Sequence, residues 1–206
     1  MHNESSATKK RRIRTEVRKA RRALSRREVR RKSQAAARFV ARTGAFHRAE
    51  RVAFYLAADG ELDPRYLVER ARKLGKRCFL PVIDTKLGGR LAFAPYTPDT
   101  PLLPNRFGIP EPAVPRAFWV GPRRLDVIYA PLVAFTPEGG RLGMGGGFYD
   151  RTLAHRRHLT LWRRPRVFGL ALELQKREWL PEEPWDIPVD GVASEAGLYP
   201  GWSSFR

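Results

Sequence analysis

Residues 126–151 read Asp-Val-Ile-Tyr-Ala-Pro-Leu-Val-Ala-Phe-Thr-Pro-Glu-Gly-Gly-Arg-Leu-Gly-Met-Gly-Gly-Gly-Phe-Tyr-Asp-Arg, an apolar run followed by a glycine-rich one. The apolar run at 126–131 predicts a strand buried on both faces of a sheet. The six glycines that follow let another molecule approach the backbone N–H groups closely. Such N–H groups form a concave site for phosphate, and a helix starting just afterwards adds its positive end.

A flexible surface loop is the alternative for this glycine-rich stretch. A linker would be rich in Gly and Ser without other features, whereas this one ends in Phe148, Tyr149, Asp150 and Arg151. We therefore predict a phosphate-binding loop at the end of a strand.

Strand and helix patterns alternate through the rest of the chain. Apolar runs predict strands at 51–56, 78–83, 91–94, 126–131, 167–172 and 189–193, with the strand at 91–94 at an edge. Eight prolines between residues 95 and 124 favour a long irregular loop there. The pattern predicts a single domain over residues 1–206, whose α/β core at 51–206 contains a largely parallel, doubly wound (Rossmann-like) sheet. Ligands of such sheets bind beyond the carboxyl ends of the strands, where the glycine-rich loop falls.

Two basic helices are predicted ahead of this core, within residues 9–50, and we expect residues 1–8 to be disordered. In the first helix Ile13, Val17, Ala20 and Leu24 recur at helical spacing. In the second, Ser25 and Glu28 form a capping box, and Thr43-Gly44 marks the end. We expect both helices to pack alongside the sheet.

Charge and cysteine content narrow the function classes. Residues 1–51 carry a net charge of +14 out of +19 for the chain, which suits a polyanionic partner. A nucleic-acid-binding module on the N-terminal helices is thus an alternative reading, disfavoured because no exposed aromatic residues interleave with the basic ones. The chain has no apolar run long enough to span a membrane and a single cysteine, Cys78, so we expect a cytoplasmic protein without a membrane partner.

The glycine-rich loop matches neither standard nucleotide-binding motif. It lacks the Lys-Ser/Thr ending of a P-loop, and no acidic residue follows at the end of a later strand to bind a ribose. This mismatch disfavours a nicotinamide-dependent oxidoreductase. What remains is Arg141 at the start of the loop, which can pair with phosphate, and Asp150 at its end, which can hold the magnesium that accompanies ATP.

Several segments, in one order along nearly the whole chain, resemble the 5-formyltetrahydrofolate cyclo-ligase (5,10-methenyltetrahydrofolate synthetase) family. The glycine-rich loop is the most specific of them, and the Phe-Gly-Ile-Pro-Glu-Pro run at 107–112 is the next. The others are residues 10–14, 55–56 with 60–61, 79–81, 126–135, 185–186 and 190.

The resemblance implies a site that binds two substrates. ATP would contact Lys10, Arg14, Arg141, Leu142, Gly143, Met144, Gly145, Gly146, Gly147, Phe148 and Tyr149. The folate would contact Leu56, Glu61, Met144, Gly145, Gly146, Gly147 and Phe148. Arg141 and Tyr149 would act in catalysis, and Asp150 and Asp186 would bind Mg²⁺.

The implied reaction is ATP-dependent cyclisation of 5-formyltetrahydrofolate to 5,10-methenyltetrahydrofolate. The γ-phosphate is transferred to the formyl oxygen, giving an iminium phosphate. The folate's N10 then attacks the formyl carbon, and phosphate leaves with ADP as the other product. The folate can carry a polyglutamate tail, and the protein is expected to be a monomer or a homodimer.

Overall fold

The computed structural model describes residues 4–158 and 164–200 of the chain. The α-helices in these residues are α1 (Ser6–Arg22), α2 (Arg26–Val40), α3 (Gly44–Arg48), α4 (Arg65–Lys73) and α5 (Phe148–Leu153). The strands are β1 (Arg51–Ala53), β2 (Arg77–Asp84), β3 (Arg90–Pro95), β4 (Leu102–Pro104), β5 (Pro110–Pro112), β6 (Val127–Pro131), β7 (Ala134–Phe135), β8 (Arg141–Leu142), β9 (Arg166–Leu170), β10 (Gly191–Ala193) and β11 (Leu198–Pro200). Short 3-10 turns cover Thr85–Leu87, Arg116–Phe118, Pro122–Arg124, Ala154–His158 and Glu173–Gln175.

A seven-stranded sheet forms the centre, in the order β11-β10-β9-β6-β1-β2-β3. The five inner strands are mutually parallel. The two edge strands, β3 and β11, run antiparallel to their neighbours. This confirms the predicted α/β class, the largely parallel sheet and the edge position of the strand at 91–94.

Helices cover both faces of the sheet. On one face, α2 and α4 pack over Phe54, Tyr129 and Phe168, whose rings stack in series with centroids 5.4 and 6.0 Å apart. On the other, Leu153 of α5 packs among Phe93 and other buried apolar residues. Burial of each such large side chain contributes about 1.5–3 kcal/mol, so the inner strands are held from both sides.

The N-terminal helices form as predicted, with different ends. The capping box of α2 is present, since Ser25 Oγ accepts from Glu28 N and Glu28 Oε2 accepts from Ser25 N. The predicted end at Thr43-Gly44 is wrong: α2 ends at Val40, and Thr43 caps the short helix α3 instead.

The expected disorder of residues 1–8 is also corrected for the part that the structure describes. Ser5 Oγ accepts from Thr8 N and caps α1, so residues 6–8 are helical. Residues 1–3 lie outside the described part of the chain. In α1 the predicted position Ala20 is exposed, whereas Lys10, Val17 and Arg21 are buried. The buried face therefore includes charged residues, which an apolar pattern does not reveal.

The strands differ from the prediction in four respects. Strand β1 ends at Ala53 rather than at residue 56. The proline-rich stretch contains the hairpin β4–β5, which prolines tolerate because it is a two-stranded ribbon with unpaired outer edges. A second hairpin, β7–β8, lies between β6 and the glycine-rich residues 143–147. The edge strand β11 was not predicted at all. None of the helices in the described residues has the length and apolar character needed to cross a bilayer.

Gly169 in β9 tests the close packing of the inner sheet. A Cβ there would lie 2.2 Å from Leu132 Cδ1 and 3.2 Å from Val192 Cγ2. We expect Gly169→Ala to lower the free energy of unfolding by about 1–3 kcal/mol, because the surrounding side chains must move. Urea denaturation measures this change. Gly121→Ala is the matched control, since nothing lies within 4 Å of its Cβ position; equal stability of both variants would contradict the packing argument.

Candidate functional site

The glycine-rich stretch divides into two parts with different roles. Gly139 and Gly140 belong to the turn of the β7–β8 hairpin, where Thr136 N donates to Gly140 O over 2.9 Å. A Cβ at Gly140 would lie 2.7 Å from Glu182 Oε1 and 2.9 Å from Thr136 Oγ1, so a larger residue would displace the buried Thr136 side chain. The glycine-rich part outside the hairpin is therefore shorter than the sequence indicates: it is the segment 143–147, which we call the glycine loop.

The glycine loop presents unpaired backbone donors. Among the described residues, no hydrogen bond is made by the N–H groups of residues 143–147. Gly145 and Gly147 have φ angles of 103° and 63°, which L-residues with side chains rarely adopt, and Gly147 directly precedes α5. Unpaired N–H groups in a glycine-rich turn are the features of a phosphate-binding nest.

Lys10 and Arg14 lie one turn apart on the same side of α1, and Arg14 contacts this loop. Arg14 Nε donates to Gly143 O over 2.9 Å, and a Cβ at Gly145 would lie 3.5 Å from its guanidinium carbon. Lys10 Nζ lies 2.9 Å from Asp186 Oδ2. Partial burial lowers the pKa of Arg14, partly offset by Asp186, but the starting value is high enough that the side chain stays charged.

Arg141 and Asp150 form a buried ion pair behind the loop. The Arg141 side chain is 5% exposed, and its NH2 lies 2.5 Å from Asp150 Oδ1. Its Nε donates to Ile187 O over 2.6 Å, and Ile187 N donates to the same Asp150 oxygen over 3.1 Å. Burial lowers the pKa of Arg141, while Asp150 and Asp186 counteract this effect. Arg141 is thus a fixed cation, although it lies in strand β8 rather than in the loop.

Asp150 and Asp186 each use one carboxylate oxygen within the protein. Asp186 Oδ2 accepts from Lys10 Nζ and from Glu183 N. The second oxygens, Oδ2 of Asp150 and Oδ1 of Asp186, accept no hydrogen bond from the described residues. No cluster of three or more His, Cys, Asp or Glu suited to a metal occurs in residues 4–158 and 164–200. Two carboxylates with free oxygens fit Mg²⁺, which keeps several waters and takes its other ligands from phosphates.

Glu61 lies close enough to Tyr149 to affect its ionisation. The hydroxyl of Tyr149 is buried and has no hydrogen-bond partner in the described chain. Burial raises the pKa of Tyr149, Arg141 lowers it and Glu61 raises it, so the phenol stays protonated. Burial also raises the pKa of Glu61, although Ala58 N donates to its Oε2 over 3.1 Å. Leu56 lies nearby after β1, half-buried against the core.

A charged cluster behind Glu61 was missed by the sequence analysis. The Arg21 side chain is fully buried; its NH2 donates to Asp59 Oδ2 over 3.0 Å, and its NH1 lies 3.7 Å from Glu61 Oε1. Arg18 and Arg22 also bind Asp59. Burial raises the pKa of Asp59, but the hydrogen bonds from these arginines outweigh it, so the pKa is lowered. The i, i+3, i+4 spacing of Arg18, Arg21 and Arg22 was the sequence signal that these arginines share one face of α1.

Phe107 is a second residue that the sequence analysis did not assign to the site. Its ring lies 6.1 Å from that of Phe148 at an interplanar angle of 71°, and 54% of the residue is exposed. The connection between β4 and β5 thus contacts the first residue of α5. The Phe-Gly-Ile-Pro-Glu-Pro run at 107–112, a part of the family resemblance, was the signal that could have found it.

Much of the N-terminal charge is bound within the protein. The basic residues of α1 and α2 with recorded hydrogen bonds to residues distant in sequence are Lys10, Arg14, Arg18, Arg21, Arg22 and Lys32. The structure therefore connects the basic helices to the site itself.

Three comparisons with known proteins point to the same family. The sequence profile described as the 5-formyltetrahydrofolate cyclo-ligase family matches residues 6–195. The chain is 39% identical over 183 residues to 5-formyltetrahydrofolate cyclo-ligase of Escherichia coli K12, covering 89% of this chain and 98% of that one. It is 37% identical to the Haemophilus influenzae protein of the same name, covering 88% and 95%. The NMR structure of Aquifex aeolicus 5,10-methenyltetrahydrofolate synthetase is similar with a TM-score of 0.79 and 32% identity, covering 96% and 94%.

Asp59→Asn tests the buried charge cluster. Asn tolerates the left-handed backbone of this position, where φ is 52°, but it cannot neutralise Arg21. Because a buried charge without its partner is costly, we expect the free energy of unfolding to fall by about 3 kcal/mol or more. Urea denaturation provides the measurement.

The double variant Arg21→Met/Asp59→Asn should recover most of this loss, since it also removes the buried charge. Asp63→Asn is the control, because Asp63 pairs with Arg65, whose side chain is 67% exposed; its effect should stay within about 1 kcal/mol. A double variant no more stable than Asp59→Asn would contradict the assignment.

Proposed function

The chain belongs to the 5-formyltetrahydrofolate cyclo-ligase family, and on this basis we propose that it catalyses the ATP-dependent cyclisation of 5-formyltetrahydrofolate to 5,10-methenyltetrahydrofolate. The observation that carries the proposal is the glycine loop with its five unpaired N–H groups, bordered by Arg14 on one side and by Asp150 on the other. Backbone donors, a cation and a carboxylate with a free oxygen suit a phosphate chain with its Mg²⁺.

In this proposal ATP supplies a phosphoryl group that turns the formyl oxygen into a leaving group, as an iminium phosphate. The folate's own N10 closes the ring, so the protein needs no nucleophile. Its contribution is positioning and charge neutralisation, as in other phosphoryl transfers. Residues 142–149 hold the phosphates against the loop, and Lys10, Arg14 and Arg141 neutralise their charge.

Magnesium would be held by the free oxygens of Asp150 and Asp186, and it would neutralise phosphate charge and orient the phosphate chain. Asp150 is oriented for this task by Arg141 and by Ile187 N. Asp186 is oriented by Lys10 and by Glu183 N. Both carboxylates are thereby fixed before any ligand arrives, which lowers the entropic cost of binding.

The folate would bind between β1 and the glycine loop. Glu61 offers a carboxylate to the N–H groups of the pterin ring, and Leu56 offers an apolar contact to its flat face. Residues 144–148 border the formyl group from the other side. Tyr149, a buried neutral hydroxyl near both Glu61 and Arg141, is placed to donate a hydrogen bond to a bound oxygen.

Location and assembly complete the proposal. The single cysteine, Cys78, is buried, and burial raises its pKa to about 11, so it is an inert thiol. A chain without disulfides suits the cytoplasm, which we propose as its location. We propose a monomer or a homodimer, with Mg-ATP and the folate as ligands.

The direct test incubates the purified chain with 5-formyltetrahydrofolate, Mg²⁺ and ATP and follows the near-ultraviolet absorbance of the methenyl product. An absorbance increase that requires ATP and releases ADP and phosphate supports the proposal. No ATP-dependent increase would refute it.

Asp150→Asn tests the metal site within that assay. The substitution keeps the size of the side chain but removes the charge that binds Mg²⁺, so we expect kcat to fall about 100-fold. Asp99→Asn serves as the control, because Asp99 is an exposed acid that is distant in sequence from both Asp150 and Asp186. Thermal denaturation of both variants shows whether the fold is intact; a folded Asp150→Asn protein with normal kcat would remove Asp150 from the site.

The raised pKa of Glu61 predicts a pH dependence. Burial disfavours its charged form, so it takes up a proton at a higher pH than an ordinary glutamate does. As the pH falls below neutral, we expect KM for the folate to rise at a higher pH than an ordinary glutamate would cause, because the carboxylate is lost. Glu61→Gln should have a high KM at neutral pH and lack this acid dependence; an unchanged acid limb in the variant would assign the titration to another group.

A further inference from the structure

Arg21 of α1 contacts the turn that carries Glu61, and its side chain has no exposed surface. Its NH2 donates to Asp59 Oδ2 over 3.0 Å, and its NH1 lies 3.7 Å from Glu61 Oε1. Its Nε and NH1 have no hydrogen-bond partner in the part of the chain that the structure describes. A cation buried in this way needs opposite charge close by, because it has lost its hydration.

Asp59 alone does not neutralise the arginines around it. Besides Arg21, it binds Arg18 and Arg22, so one carboxylate pairs with three cations. The side chains of Arg18 and Arg22 are 38% and 60% exposed, so water solvates them as well. Arg21 has no such contact with water, and the second carboxylate that it pairs with among the described residues is that of Glu61. The charges of Arg21 and Glu61 therefore stabilise each other.

The main chain of the turn also packs on Arg21. Asp59 and Gly60 have φ angles of 52° and 73°, so two successive residues are left-handed. A Cβ at Gly60 would lie 3.1 Å from the carbonyl oxygen of Arg21 and 3.4 Å from its Cβ. Glu61 follows directly, and its backbone N closes the turn by donating to Ala58 O over 3.0 Å. The position of Glu61 thus depends on residue 21 of α1.

The carboxylate of Glu61 keeps one oxygen available to a ligand. Ala58 N donates to Oε2 over 3.1 Å, whereas Oε1 accepts no hydrogen bond from the described residues. The distance of 3.7 Å from Arg21 NH1 is short enough to stabilise the charge but too long for a hydrogen bond, so Oε1 can still accept one. The Glu61 side chain is 12% exposed, so it reaches the surface where Arg21 does not.

Arg21 also affects the protonation of Glu61. Burial raises the pKa of this carboxyl group, and Asp59 adds to that effect. The Ala58 N–H group, Arg21 and Arg18 all lower the pKa. Arg21 thus opposes the effect of burial and favours the charged form, which is the form that accepts N–H groups.

We propose that Arg21 is a positioning residue for the folate, which holds Glu61 in place and charged so that it can accept the N–H groups of the pterin ring. The inference rests on the proposed function, since that function puts the pterin at Glu61. Arg21 touches no ligand, because none of its side chain is exposed. It therefore acts through Glu61, in contrast to Lys10 and Arg14, which would meet the phosphates directly.

Arg21→Met tests this role, since it removes the charge and keeps a long side chain. Arg18 and Arg22 still pair with Asp59, so that carboxylate is not left alone. We expect KM for the folate at neutral pH to rise about tenfold, with kcat and KM for ATP within about twofold of wild type. Arg21→Lys, which keeps the charge, should restore much of the folate affinity. Urea denaturation shows that the variants are folded.

The pH dependence separates this role from a general loss of stability. Without Arg21, the effect of burial on Glu61 is less opposed, so the carboxylate is lost at a higher pH. The rise of the folate KM on acidification should therefore begin at a higher pH in Arg21→Met than in wild type. The other groups near Glu61 do not titrate there, because burial raises the pKa of Tyr55 and of Tyr149, and the arginine hydrogen bonds of Asp59 outweigh its burial and lower its pKa.

A double variant shows whether Arg21 acts through Glu61. In a Glu61→Gln background, Arg21→Met should change KM for the folate by less than about twofold, since the acceptor charge is already gone.

Arg22→Met is the matched control. It removes a cation from the same Asp59 carboxylate, but its side chain is 60% exposed and no ion pair of the described residues joins it to Glu61. It should keep the folate KM of wild type and the same acid dependence. Should Arg21→Met not fold, Arg21→Gln repeats the test, because it can still donate to Asp59 without carrying charge.

A folded Arg21→Met or Arg21→Gln protein with the folate KM and acid dependence of wild type would overturn the proposal. Equal effects of Arg22→Met, or full additivity with Glu61→Gln, would overturn it as well, because Arg21 would then act by net charge or by a route other than Glu61. Failure of the proposed function looks different, since the wild-type protein would then not convert the folate at all.

Discussion

The site depends on the charged face of helix α1. Along this face Lys10 binds Asp186, Arg14 binds Gly143 O, and Arg21 binds Asp59 beside Glu61. These contacts join the N-terminus to the loop after β1, to the glycine loop and to the segment before β10. Burying Arg21 costs desolvation energy, which the Asp59 carboxylate must offset. The same contacts that hold α1 on the sheet therefore also orient the residues that would meet the substrates.

Burial gives the polar groups of the site different protonation behaviour. It raises the pKa of Glu61 and of Tyr149 and lowers that of Arg141. The buried arginine keeps its charge because its pKa starts so high, whereas the phenol stays neutral. A fixed cation and a titratable acid thus both lie close enough to the neutral phenol to affect its ionisation. This combination can neutralise a phosphate and bind a pterin ring without supplying a nucleophile.

The sequence was informative wherever a signal is local. Apolar runs predicted the inner strands, and the Ser25–Glu28 spacing predicted a capping box that forms. Lys10 and Arg14, which the resemblance assigns to ATP, are four residues apart and therefore lie on one face of α1. Apolar periodicity selected Ala20 for the buried face of α1, although the buried residue is Arg21, because a partner distant in sequence compensates its charge.

The contacts missed at the site likewise join residues that are distant in sequence. The pairing of Arg141 with Asp150, and of Lys10 with Asp186, depends on tertiary contacts that a single sequence does not specify. The β4–β5 hairpin escaped prediction because prolines usually break sheets, yet Asn105 closes its turn by accepting from Phe107 N and Ile109 N. Phe107 reaches the site only through that turn. Local rules therefore predicted the elements, but not which of their side chains meet.

The bond between Lys10 and Asp186 joins residues 176 positions apart, and this affects how the protein is made. A ribosome adds about 5–20 residues per second, so Asp186 follows Lys10 by roughly 10–35 s. During that interval the nascent N-terminus carries +14 of the chain's net charge of +19, and Lys10 lacks its acidic partner. The contact between the start of α1 and Asp186 is consequently completed late in synthesis, and a nascent chain lacking residues 143–186 lacks the glycine loop, Asp150 and Asp186.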